Sequence, residues 1–191
     1  MNMVRVSPAR NGLSWGGEGP YGTWDIIDAT IYERYRFTQR GTVGSLQLDI
    51  AILTLSPIGS QVALPIGIAM GTFGVSKFPV RPSCCDRIFL PRCSTSTIQA
   101  DEWRITGYPG DKTIGTMWDT GTCDEWVYNC GNPKVIDYTC DTAEGMSGSA
   151  IRDGEDKIIG VHAGGTTTVN YGVAIDDENL NNIQLILSGQ L

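Results

Sequence analysis

The chain has 191 residues, 41% of them apolar and 18% charged, which is enough for one ordinary domain or two small ones and excludes intrinsic disorder. Its 14 basic residues against 21 acidic ones leave a net charge of -7, a field that repels phosphate backbones and argues against a nucleic-acid partner. No apolar run approaches the roughly 18 residues that cross a bilayer, so no membrane partner is expected.

The first residues, MNMVRVSPARNGLSWGG, lack the apolar core of a signal peptide, so an export signal would have to lie outside this sequence. Tyr21 to Tyr35 mixes β-branched and aromatic residues in rough alternation and reads as sheet. LQLDIAILTL, Leu46 to Leu55, is apolar at almost every position and predicts a strand covered on both faces, with Asp49 in its middle. Val62 to Met70 reads as a further short strand broken by Pro65. Residues 78 to 100 have little periodicity and are rich in Pro, Ser, Thr and Cys, the composition of a linker. Beyond it, EWRITGY, TIGTMWD, EWVYN, KVIDYT, SGSAIRD, KIIGVHA and VNYGVAI recur at about the 8 to 12 residue spacing of a barrel or sandwich. Turn compositions such as PGDK, GTCD, CGNP and RDGED separate them. At the end, Asp176 or Asp177 can cap a helix whose apolar face carries Leu180, Ile183 and Leu187, with Gly189 to close it.

Six cysteines, Cys84, Cys85, Cys93, Cys123, Cys130 and Cys140, are compatible with disulfides and an oxidising compartment, and their pairing stays open. Their spacing is irregular and the sequence holds a single histidine, so neither a metal site nor another cofactor is expected.

Three segments can carry chemistry. In TCDTAEGMSGSAI, Ser147 stands between glycine-rich neighbours where the backbone can turn sharply, exposing its hydroxyl and aiming the amides of Gly145 and Ser147 at a developing oxyanion. Alone, that string more often marks an ordinary small-residue turn. Asp49 is either a strand-edge carboxylate bonded to backbone or the buried acid that orients an imidazole. His162, in VHAGG, is either structural or lines the same cavity as Ser147, fifteen residues before it.

In that order, DIAILTL, ITGYPGDK with GTMWDTG, TCDTAEGMSGSAI and IIGVHAGGTTTVNYGVAI resemble the chymotrypsin-like serine proteases of the glutamyl endopeptidase group. The resemblance implies an all-β, chymotrypsin-like double β-barrel with an incomplete first barrel and a short C-terminal helix. It implies boundaries at 1–80 for the first barrel, 81–97 for the linker, 98–176 for the second barrel and 177–191 for the helix. It makes Ser147 the nucleophile, Asp49 the triad acid, and the amides of Gly145 and Ser147 the oxyanion hole. His162 then matches the pocket histidine that receives an acidic side chain, Thr142 the polar residue of the opposite wall, and Gly164 and Gly165 an open pocket rim. Glu144, near that pocket, would oppose an acidic substrate. The implied protein is a secreted, monomeric serine endopeptidase that acts on polypeptides and prefers Glu or Asp before the scissile bond.

One departure is large. The family's general-base histidine sits in a T-A-x-H-C segment before the acid, and this sequence has no such segment. Ser, His and Asp act as a unit, so the chain as it stands is expected to be almost inactive. VSPARNG followed by PYGTWDIIDATIYERY looks like the stretch after the family's histidine, so a sequence that starts late is one explanation. A pseudoprotease that binds without cutting is the other. Met146 stands where trypsin-type enzymes carry an acid, so activation by a buried salt bridge to a new N-terminus is not expected.

Overall fold

The computed structural model describes residues 5–7, 22–39, 42–57, 73–79, 93–94, 103–123, 126–128 and 134–190. They form two antiparallel sheets. The first has the order β1-β2-β3, from Arg5–Val6, Trp24–Ile31 and Ala51–Pro57. The second runs β4-β7-β8-β11-β10-β9-β5-β6, from Cys93–Ser94 (β4), Arg104–Gly107 (β5), Trp118–Asp119 (β6), Trp126–Tyr128 (β7), Val135–Tyr138 (β8), Ala150–Arg152 (β9), Ile158–Gly165 (β10) and Asn170–Ala174 (β11). The strand expected at Val62 to Met70 lies outside the described residues.

The train of short strands read from the second half of the sequence is the larger sheet. In β5 the burial alternates as in a half-buried strand, with Ile105 and Gly107 buried, whereas in β8 Val135, Ile136 and Tyr138 are all buried. Ile105, Ile136, Ile151 and Ile159 are fully or almost fully buried beside Trp103, Met146 and the Cys123–Cys140 disulfide. Each such isoleucine contributes about 1.5–3 kcal/mol of transfer free energy. Phe78 reaches this core from the segment 73–79 and meets Trp103 edge to face at 5.0 Å. That segment is tied down by Val75 bridging Ile158 and by the Phe78 amide donating to the Ile175 carbonyl at 2.8 Å.

The first sheet departs from the sequence expectation around Asp49. Residues Val43–Leu46 form a single helical turn, α1, started by Thr42, whose Oγ1 accepts from the Ser45 amide at 3.3 Å. The chain leaves it through the Asp49 amide, which donates to the Leu46 carbonyl at 3.3 Å, and β3 begins two residues later. Asp49 therefore precedes the strand and is half-buried. The strand is not covered on both faces either, since Leu53 is 45% exposed. Among the described strands β3 pairs with β2 alone.

Helix α2, Asp177–Leu187, is capped by Asp176, whose side chain accepts from the Asn179 amide at 2.8 Å, and ends in a positive-φ Gly189. Its inward face differs from the expected Leu180, Ile183, Leu187 row: Leu187 is exposed and Asn179 is buried. Asn179 Nδ2 donates to the Ala174 carbonyl at 2.9 Å, and its Oδ1 accepts from the Tyr32 hydroxyl. Those two bonds fix the rotation of the helix more stringently than its sparse leucines. Among the described residues, no helix is long and apolar enough to cross a membrane.

Cys123 and Cys140 close a loop with a sequence separation of 17. Loop closure of this size restricts the unfolded chain by about 3 kcal/mol. The paired Cys123→Ser, Cys140→Ser variant is therefore expected to melt about 10 °C lower, as calorimetry would record. An unchanged Tm would mean that the bond does not hold this fold.

Candidate active site

Ser147 sits in the loop between β8 and β9, and the local backbone explains its exposure. Gly145 has φ +96° and Gly148 φ +87°, a conformation that side chains on Cβ disfavour. A Cβ on Gly145 would also come within 2.8 Å of the Tyr108 carbonyl. Between these glycines the chain turns tightly, with the Met146 amide donating to Ala143 at 3.2 Å and the Ser149 amide to Met146 at 3.0 Å. Met146 is buried under the turn while Ser147 remains exposed. Among the described residues, the amides of Gly145 and Ser147 donate to nothing, which is how an anion-receiving amide pair must stand before a ligand arrives.

Strand β10 is stitched to this turn. The Gly148 amide donates to the His162 carbonyl at 2.7 Å, and the His162 amide returns a bond to Ser149 at 2.9 Å. The β10–β11 register slips between His162 and Gly164, so Ala163 is a bulged residue. Its carbonyl accepts from Ser147 Oγ at 3.0 Å. The serine hydroxyl is thus held as a donor to backbone, with no base beside it among the described residues.

His162 is 2% exposed. Its Nδ1 lies 2.5 Å from the Tyr138 hydroxyl, which also reaches the Tyr171 carbonyl at 3.3 Å. Burial holds the imidazole below its ordinary pKa, because the charged ring loses solvation, and burial raises the Tyr138 phenol for the same reason. At neutral pH the ring is uncharged and the phenol keeps its proton. Sequence reasoning missed Tyr138. The available signal was a tyrosine closing the buried alternation of KVIDYT, since a buried phenol needs a polar partner.

The other expected site residues are placed as follows. Thr142 is half-buried and lines a cavity of about 80 Å³ with Pro109, Lys112, Trp118, Asp141 and Met146; no hydrogen bond joins it to His162. Gly164 and Gly165 end β10 against β11, where a Cβ on Gly165 would fall 2.1 Å from Asn170 Oδ1. Asn170 in turn donates to the Cys140 carbonyl at 2.6 Å, so this rim is braced to the strand leading into Thr142. Glu144 is exposed, and its carbonyl accepts from the Gly110 amide at 2.6 Å. The Asp49 carboxylate bonds to no other described residue, and lies in the first sheet's approach to β3. Hydrogen bonds join the Ser147 turn, which carries Gly145, to the strand of His162; Asp49 has no hydrogen bond to either.

No family model matches the chain. Among curated proteins, it is 36% identical over 85 residues to the glutamyl endopeptidase of Staphylococcus epidermidis, a stretch covering 44% of this chain and 29% of that protein. It is 35% identical over 78 residues to the Staphylococcus aureus glutamyl endopeptidase, covering 41% of this chain and 22% of the other. These matches span less than a third of those relatives' length. Among solved structures, a Glu endopeptidase in complex with MPD superposes with a TM-score of 0.67 at 21% identity, over 96% of this chain and 71% of that one. A thermostable serine protease, AL20, from an extremophilic microorganism superposes with a TM-score of 0.63 at 13% identity, over 93% and 72%. The fold is that of the chymotrypsin-like serine proteases, as the motif order predicts.

Proposed function

We propose that this chain carries the nucleophile, the oxyanion amides and the acid-receiving pocket of a serine endopeptidase that cuts after Glu, and less readily after Asp. The supporting observation is the bonded unit of the Ser147 turn and β10, with two amides that have no partner among the described residues at one end and a buried imidazole at the other. In that reading Ser147 Oγ attacks the scissile carbonyl carbon, and the oxygen that becomes negative is received by the Gly145 and Ser147 amides. The hydroxyl proton leaves to a general base and then passes to the departing amine. Water later splits the acyl ester, releasing the acid product and restoring the hydroxyl. The base is an imidazole this chain does not supply, because its single histidine is committed beneath the pocket. Asp49 is assigned the orientation of that imidazole. Nε2–H of His162 and the Thr142 hydroxyl would hold the substrate carboxylate by charge-assisted hydrogen bonds. The disulfide accords with work in an oxidising, extracellular setting.

A peptide aldehyde ending in glutamal tests this without any general base in the chain. Ser147 Oγ bonds to the aldehyde carbon and its proton ends on the former carbonyl oxygen, giving a hemiacetal. The aldehyde is expected to bind about a hundredfold more tightly than the matching alcohol by calorimetry. Ser147→Ala should erase the difference. Equal affinities in the unmodified chain would overturn the assignment of the nucleophile.

A further inference from the structure

The imidazole of His162 and the hydroxyl of Tyr138 come from strands that are not neighbours. In the sheet, β11 lies between β8 and β10, and Gly172 of β11 stands opposite both Ile136 and His162. Because position 172 has no side chain, the phenol can cross over β11 to the imidazole. A Cβ there would lie 3.3 Å from Tyr138 Oη, 2.8 Å from Ile151 Cδ1 and 2.7 Å from the Val161 carbonyl. The two rings sit 5.9 Å apart between centroids. Among the described residues Tyr138 is the titratable side chain touching the imidazole, and no charged side chain bears on it.

We infer that Tyr138 is the positioning residue of this pocket, donating to His162 Nδ1 while the ring is neutral and accepting from Nδ1–H once a bound carboxylate has drawn a second proton from solvent onto the ring. A phenol has one proton and two lone pairs, so it can play either part. In the neutral state its proton points at Nδ1, and the ring's own proton is forced onto Nε2. In the charged state the phenol turns its proton to the Tyr171 carbonyl, 3.3 Å away, and receives Nδ1–H on its oxygen. Neither state leaves a buried donor without an acceptor, so His162 can gain charge inside the pocket with no rearrangement of backbone.

The inference rests on His162 as the carboxylate receptor, and the experiment separates the two. The chain has one histidine, so nitrogen NMR of the labelled ring is unambiguous. At pH 8 without ligand, the unmodified protein is expected to show a bare Nδ1 and a protonated Nε2. A proton on Nδ1 would overturn the role of Tyr138, with no variant needed. Tyr138→Phe is expected to give a mixture of tautomers and to lower the preference for glutamal over glutaminal aldehyde about tenfold. If the unmodified protein shows no such preference, the pocket itself is misassigned. If it does and Tyr138→Phe keeps both tautomer and preference, the pocket stands and the positioning role falls.

Discussion

Added imidazole is expected to accelerate hydrolysis of a glutamyl anilide by this 191-residue chain in a saturable way, and Ser147→Ala to remove that acceleration. The reason lies in where the serine proton goes. Ser147 Oγ donates to the Ala163 carbonyl, which cannot accept that proton as chemistry begins. The one imidazole in the sequence has Nδ1 against Tyr138 and is 2% exposed, so it is not available to shuttle protons at the serine. Serine proteases deprived of a triad member retain only about 10³–10⁴-fold over the water reaction, from binding and oxyanion stabilisation. The unaided chain should fall in that range. A full protease rate without added base would show that another group among these residues takes the proton.

His162→Leu should cost the pocket its acid preference while leaving the fold intact. Tyr138 retains the Tyr171 carbonyl as acceptor when the imidazole is gone, so the substitution strands no buried hydroxyl. A hydrogen bond to a charged group is worth about 1.5–3 kcal/mol, which corresponds to a loss of about 10- to 100-fold in affinity for the glutamal aldehyde relative to glutaminal. The same residue fixes the sign of the pH response. Burial lowers the imidazole pKa in the free chain, and a bound carboxylate raises it, so binding takes up a proton. Affinity for the acidic aldehyde therefore strengthens as pH falls from the bound-state pKa towards the depressed free-state value. It weakens again once the ligand's own carboxyl, near pH 4, protonates. The glutaminal aldehyde should show no comparable rise. Calorimetry across pH 5 to 8 reads both.

Much of this arrangement was legible in the residues. The second sheet follows from regularly spaced apolar alternation broken by turn residues, because each strand buries one face in a shared core. The Ser147 turn follows from glycines at 145 and 148, since few other residues accept φ values of +96° and +87°. The Tyr138–His162 pair was not legible, because its partners are separated by 24 residues and joined across an intervening strand at a glycine. Sequence spacing carries no record of that crossing. The bulge at Ala163, which aims a carbonyl at the serine, is likewise a register effect that alternation alone does not reveal. Around Asp49, the apolar run LQLDIAILTL suggested one long strand, yet its first residue closes a helical turn set by Thr42. Polar anchoring misled the reading of α2 in the same way, since Asn179 outcompetes the leucines for the inward position.

A crystal structure of the glutamal adduct asks the decisive question, whether serine, amides and imidazole serve one substrate. The expected density shows a covalent bond from Ser147 Oγ to a tetrahedral carbon, the hemiacetal oxygen at the amides of Gly145 and Ser147, and the ligand carboxylate against His162 Nε2. An aldehyde that leaves Ser147 unbonded, or that seats its carboxylate away from His162, would contradict the account.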